Sequence, residues 1–81
     1  MKTVSIRVRS TTSRVPFRGG TYSAQLENED SDKYIVLGTT RGHESWVAAA
    51  AAALRLADQR GYTVLYRALI EKRLRKEGWP L

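Results

Sequence analysis

The stretch from Ser45 to Arg60, SWVAAAAAALRLADQR, limits the folds open to this chain more than any other. Six consecutive alanines combine the best helix propensity with almost no side-chain bulk. Glu44 stands near the positive end of the helix dipole, Arg55 and Arg60 stand near the negative end, and Gly61 suits a left-handed cap after the last turn. Val47, Ala50, Leu54 and Ala57 recur at helical spacing, with Trp46 and Ala53 on the flank. A helix with an alanine face lets a second layer approach at the short end of the usual range, about 8–10 Å between axes. Ala50 and Ala53 are therefore expected to face a sheet at close range.

The preceding residues supply that sheet. Thr3–Arg9 alternates, with Val4, Ile6 and Val8 on one side and Thr3, Ser5, Arg7 and Arg9 on the other. Ser10–Gly20 reads as a loop that carries Arg14 and Arg18 on either side of Phe17. Thr21–Asn28 alternates again, with Tyr22, Ala24 and Leu26 inward and Ser23, Gln25 and Glu27 outward. The acidic stretch Asn28–Asp32 reverses the chain into Lys33–Thr40, which is apolar on both faces and is expected to be the more covered strand of a hairpin. After Gly61 two patterns compete. One is a short fourth strand near Tyr62–Tyr66 followed by a basic helix to about Glu77, with Gly78 as its cap. The other is a single helix from Thr63. The first is adopted, with Trp79-Pro80-Leu81 folding back on the core. The expected fold is one α+β domain over residues 1–81. It is a small antiparallel sheet of three to four strands with the alanine-rich helix on one face and a basic C-terminal helix.

Charge narrows the partner. The chain has 14 Lys+Arg against 8 Asp+Glu, and ten of the cations are arginine, the side chain suited to gripping phosphate or carboxylate in a fork. A domain of 81 residues buries only about 60% of its unfolded surface, so no deep cleft is expected. With no cysteine there is neither a disulfide nor a thiolate site. One histidine, His43, cannot close a zinc site, and it reads as part of the turn leading into the helix. The acidic turn with Glu27, Glu29, Asp30 and Asp32 lacks the glycine and final glutamate of a calcium loop and reads as a solvated turn. No phosphate-binding glycine loop or nucleophile elbow occurs. The expectation is a non-enzymatic protein with no cofactor, no small-molecule substrate and no membrane partner. The chain reads as a complete product of a reducing, cytoplasmic interior.

Two clusters remain as candidate binding residues. Arg7 and Arg9 project from the sheet face away from the helix, with Arg14 and Arg18 in the adjoining loop. Such a face can enter a major groove or hold phosphates. Arg67, Lys72, Arg73, Arg75 and Lys76 crowd the C-terminal helix, where like charges repel and favour an anionic partner.

The segments YSAQL, KYIVLGTT and ESWVAAAAAALRLADQRG resemble the AP2 and integrase-arm DNA-binding domains, in which a three-stranded sheet ending in an LGT-type strand precedes an alanine-rich helix. That resemblance implies a sheet that reads the major groove of duplex DNA. Here Tyr22 stands near the place of the family's sheet tryptophan, and the helix lacks the usual tyrosine-aspartate pair. In length and layout, TVSIRV, GGTYSAQL, KYIVLG, AAAAAALRLA and GYTVLY resemble small phage-encoded anti-CRISPR proteins of the type I-F group. This second resemblance implies a stand-alone viral inhibitor of the host cytoplasm that docks on a CRISPR effector protein or nucleoprotein complex. Many members of that group are acidic, so a chain of net charge +6 would hold an acidic protein surface or the nucleic acid itself rather than mimic DNA. Of the two, the anti-CRISPR reading is the first expectation and the DNA-binding domain the alternative. A structural or accessory phage protein is the third.

Overall fold

A computed structural model describes residues 2–11 and 21–79. The elements follow in the order β1 (Thr3–Thr11), β2 (Thr21–Asn28), β3 (Val36–His43), α1 (Trp46–Gln59), β4 (Thr63–Val64) and α2 (Arg67–Lys76). β1 and β2 pair antiparallel without interruption from Val4↔Asn28 to Thr11↔Thr21. Their alternation sets the two faces of the sheet. Val4, Ala24 and Leu26 are buried, and Ile6, Val8 and Tyr22 pack against them, all on the side that α1 covers. Leu26, Val4 and Leu74 are the largest fully buried side chains, each worth roughly 1.5–3 kcal/mol on burial.

The strand order is β3-β2-β1-β4, so β3 is an edge strand. This corrects the expectation that Lys33–Thr40 is the covered strand of the hairpin. Pairing begins at Val36 and continues to His43, while Tyr34 and Ile35 remain 65% and 43% exposed. Two irregularities shape β3. Leu37 is an extra residue between the pairs Leu26↔Gly38 and Glu27↔Val36. Further along, Arg41 and Gly42 together oppose Ser23, between Ala24↔Thr40 and Tyr22↔His43. Gly42 has φ +76, the left-handed geometry that such a bulge favours in glycine. His43 is consequently the last strand residue, not part of the connecting turn.

Ser45 caps α1, its Oγ accepting from the Ala48 N–H at 3.1 Å. The helix ends with Tyr62 N–H donating to the Ala57 carbonyl at 2.9 Å and Gly61 N–H to the Asp58 carbonyl at 3.2 Å, the paired bonds of a Schellman cap. Ala49, Ala50, Ala53 and Ala57 are at most 1% exposed. The helix contacts all four strands, because the chain must cross from the β3 edge to the opposite edge before β4. At β3 the approach is so close that a Cβ on Gly38 would lie 2.9 Å from both Leu56 Cδ2 and Arg60 Nη1. Arg60 also donates to the Leu37 carbonyl, fixing the end of α1 to the edge strand.

The crossover returns the chain in the direction of β1, so β4 pairs with β1 in parallel through Thr3↔Thr63 and Val4↔Val64. The sheet is therefore mixed rather than antiparallel throughout. Leu65 N–H donates to the Val4 carbonyl at 2.8 Å, and Tyr66 then adopts a left-handed conformation, φ 57, which separates β4 from α2. Strand and helix are thus distinct, as adopted above. Leu74 and Ile70 anchor α2 to the core. Trp79 packs there too, and its N–H donates to the Leu74 carbonyl at 2.9 Å. Pro80 and Leu81 lie outside the described residues.

The acidic turn is not purely solvated. Asp30 Oδ2 accepts from the Thr3 N–H at 3.0 Å, and Glu29 N–H donates to the Thr3 carbonyl, so the turn ties the start of β1 to the end of β2. Replacing Asp30 with Ala is expected to cost about 0.5–1.5 kcal/mol, the worth of one such bond. Glu29→Gln and Asp32→Asn should stay within about 0.5 kcal/mol. Ala50→Leu and Ala53→Leu should each overpack the α1–sheet interface by about 1–3 kcal/mol. Thermal unfolding checks all five variants. Unchanged melting for both leucine variants would mean that α1 presents another face to the sheet.

Candidate functional site

The sheet face opposite α1 has no helix over it among the described residues. Cross-strand register arranges its side chains in rows. One row holds Arg9, Ser23 and the bulged Arg41; the next holds Arg7, Gln25 and Thr39. Arg9, Thr21, Ser23, Gln25, Thr39 and Arg41 line an open groove of about 560 Å³.

Arg7 and Arg9 do project from one face side by side, as the alternation requires, but their electrostatics differ. Arg7 Nε lies 3.1 Å from Glu27 Oε2. The same oxygen accepts from Gln25 Nε2 at 2.6 Å and from Tyr34 Oη at 3.2 Å. Glu27, expected as an outward solvated residue, is only 8% exposed because Arg7, Gln25 and Tyr34 close around it. Arg7 is thereby neutralised. Arg9 and Arg41, on either side of Ser23, have no ion-pair partner among the described residues. The cationic half of the face is therefore Arg9 with Arg41 rather than Arg9 with Arg7. Arg41 was legible as an outward residue only by continuing the alternation of β3 past Thr40. Arg14 and Arg18 lie outside the described residues.

The basic helix divides in the same way. Arg67 donates from Nη1 and Nη2 to the two Asp58 carboxylate oxygens at 2.7 and 2.9 Å, and from Nε to Glu71 at 2.7 Å. These bonds hold the Asp58 carboxyl below the usual carboxylate range and push the Arg67 guanidinium above its ordinary value. Arg73 stacks on the Trp46 ring, 3.7 Å from its centroid, and also lies 3.8 Å from Glu77. One arginine thus reaches the last turn of α1 and the other its first residue. Both serve the fold, which removes them from the expected binding set. Lys72, Arg75 and Lys76 have no partner among the described residues.

His43 faces the helix side beside Tyr22, away from the groove. Its Nε2 and Thr40 Oγ1 are buried without a hydrogen-bond partner among the described residues. Among the described residues, no group of three or more His, Asp or Glu side chains could hold a metal ion, and no helix is long and apolar enough to cross a membrane. No protein-family model matches the chain, and no curated protein or solved structure is significantly similar to it.

The Asp58–Arg67 pair carries a pH signature. Asp58 is depressed in the folded state, so its contribution to stability is present above its unfolded value near 3.8 and disappears as pH falls through the lower folded value. Asp58→Asn should melt below the wild type at neutral pH. The two melting curves should converge as pH drops below about 3.8. A gap that persists at low pH would show that the aspartate acts through something other than its charge.

Proposed function

We propose that this is a non-enzymatic binding protein that holds nucleic acid, duplex DNA foremost, on its open sheet face. The observation that carries the reading is the placement of Arg9 and Arg41, which have no ion-pair partner among the described residues, on either side of Ser23. Their strands lie two sheet spacings apart, about 9.6 Å, comparable with the width of a major groove, about 12 Å. The hydroxyls and amide of Ser23, Thr39 and Gln25 suit phosphate oxygens and base edges, and an arginine fork suits guanine. A sheet with one bare basic face and an alanine-rich helix behind it is also the arrangement implied by the AP2-type likeness. Tyr22, near the place of that family's sheet tryptophan, packs on the helix side instead, so base reading would fall to the arginines.

A second reading has its own support. Tyr34, Ile35 and Val36 are exposed beside the unpaired edge of β3. An edge strand with apolar neighbours suits docking on a protein by strand addition. That favours the anti-CRISPR-like reading, an inhibitor seated on a CRISPR effector complex.

Electrophoretic mobility shift with random duplex across a salt series separates the two. DNA binding predicts affinity that falls steeply with salt, each neutralised phosphate adding about −0.9 to the log–log slope. Arg9→Glu with Arg41→Glu should abolish it, with circular dichroism unchanged. Glu27→Gln should free Arg7 and strengthen duplex binding. Absence of duplex binding by the wild type would overturn the DNA reading. If binding to a purified effector complex is then lost on Ile35→Asp, the effector reading stands in its place.

A further inference from the structure

The outer surface of α2 and the turn before it carry a feature that neither the core nor the sheet face explains. Leu65, Tyr66 and Leu69 are 36%, 69% and 65% exposed. At about 100° per residue, Leu69 lies roughly 140° around the helix from the buried Leu74, so it is no extension of the core. Lys72 and Lys76 share the side of Leu69, three and seven residues on, and these three line a groove of about 390 Å³ with Arg73 and Glu77. Tyr66 adds a second observation. It is the only non-glycine residue with positive φ among the described residues, a conformation unfavourable for a bulky aromatic, and its ring is left largely in solvent.

We propose that Leu65, Tyr66, Leu69, Lys72 and Lys76 form a docking surface for an acidic, amphipathic segment of a partner protein. Charge complementarity selects that occupant. The two lysines are one helical turn apart and lack partners among the described residues, so they suit carboxylates in the same spacing. Leu69 and Tyr66 beside them suit apolar anchors, with the lysines as a polar rim. A phosphate backbone offers nothing to an exposed leucine. A ten-residue helix with so few apolar side chains buries little in a bilayer. This surface is independent of the sheet-face reading, because it uses none of the same residues.

The test is NMR titration of the whole ¹⁵N-labelled protein with a synthetic peptide of Glu and Asp that carries Leu and Phe at i, i+3 and i+4 spacing. Shift changes are expected at Leu65, Tyr66, Leu69, Lys72 and Lys76. Leu69→Ser, and separately Lys72→Glu with Lys76→Glu, should weaken binding about ten-fold or more, as removal of an anchor or its charge partners does. Leu69 is exposed, so its variant leaves the fold intact. Arg9→Glu with Arg41→Glu should leave peptide binding unchanged. Several outcomes would overturn the proposal. One is no shift at these residues. Another is equal binding of a peptide with Ser at every apolar position, which would reduce the effect to bulk charge. The same shifts produced more tightly by phosphatidylserine vesicles or duplex DNA would assign the surface to those ligands instead.

Discussion

The arrangement depends on α1 lying closer to the sheet than ordinary side chains allow. One helix must cover β1, β2 and β3 and still deliver the chain to β4 on the far edge. Alanines at 49, 50, 53 and 57 make that approach possible, and Gly38 extends it to the edge strand beneath Leu56 and Arg60. Close contact compensates for small side chains, since dispersion depends on many near contacts rather than on a few large groups. The same economy of bulk leaves one layer of helix on one side only. Among the described residues the other sheet face has no helix over it, and that makes it a candidate surface.

Three carboxylates decide which arginines are free to meet a partner. Glu27 closes with Arg7, while Asp58 and Glu71 close with Arg67. Trp46 occupies Arg73. These pairings give Arg7, Arg67 and Arg73 to the fold. Arg9 and Arg41 on the sheet, and Lys72, Arg75 and Lys76 on α2, are clustered cations that keep no partner among the described residues. The two groups lie on separate elements, so one molecule presents two anion-seeking surfaces of different character. The first is polar and set among hydroxyls. The second surrounds exposed apolar side chains.

Period and propensity determined much of this protein. Alternation in Thr3–Arg9 and Thr21–Asn28 set which side chains are buried, because a strand must turn every second residue the same way. The alanine run and Gly61 set α1 and its end, because propensity and the left-handed cap are local properties. They also placed Arg7 and Arg9 on the bare face. The tertiary structure decided what depends on partners distant in sequence. β3 lies at the edge although the stretch that leads into it, Tyr34 to Leu37, is apolar, since strand order follows from chain crossing rather than composition. β4 runs parallel to β1 because α1 carries the chain back across the sheet. Arg41 comes to lie opposite Ser23 through a bulge whose register exists only once β2 is paired. Whether a given arginine is spent on the fold is set by a carboxylate or ring brought to it from another part of the chain, as Asp58 and Trp46 are brought to α2, and no local pattern records that meeting.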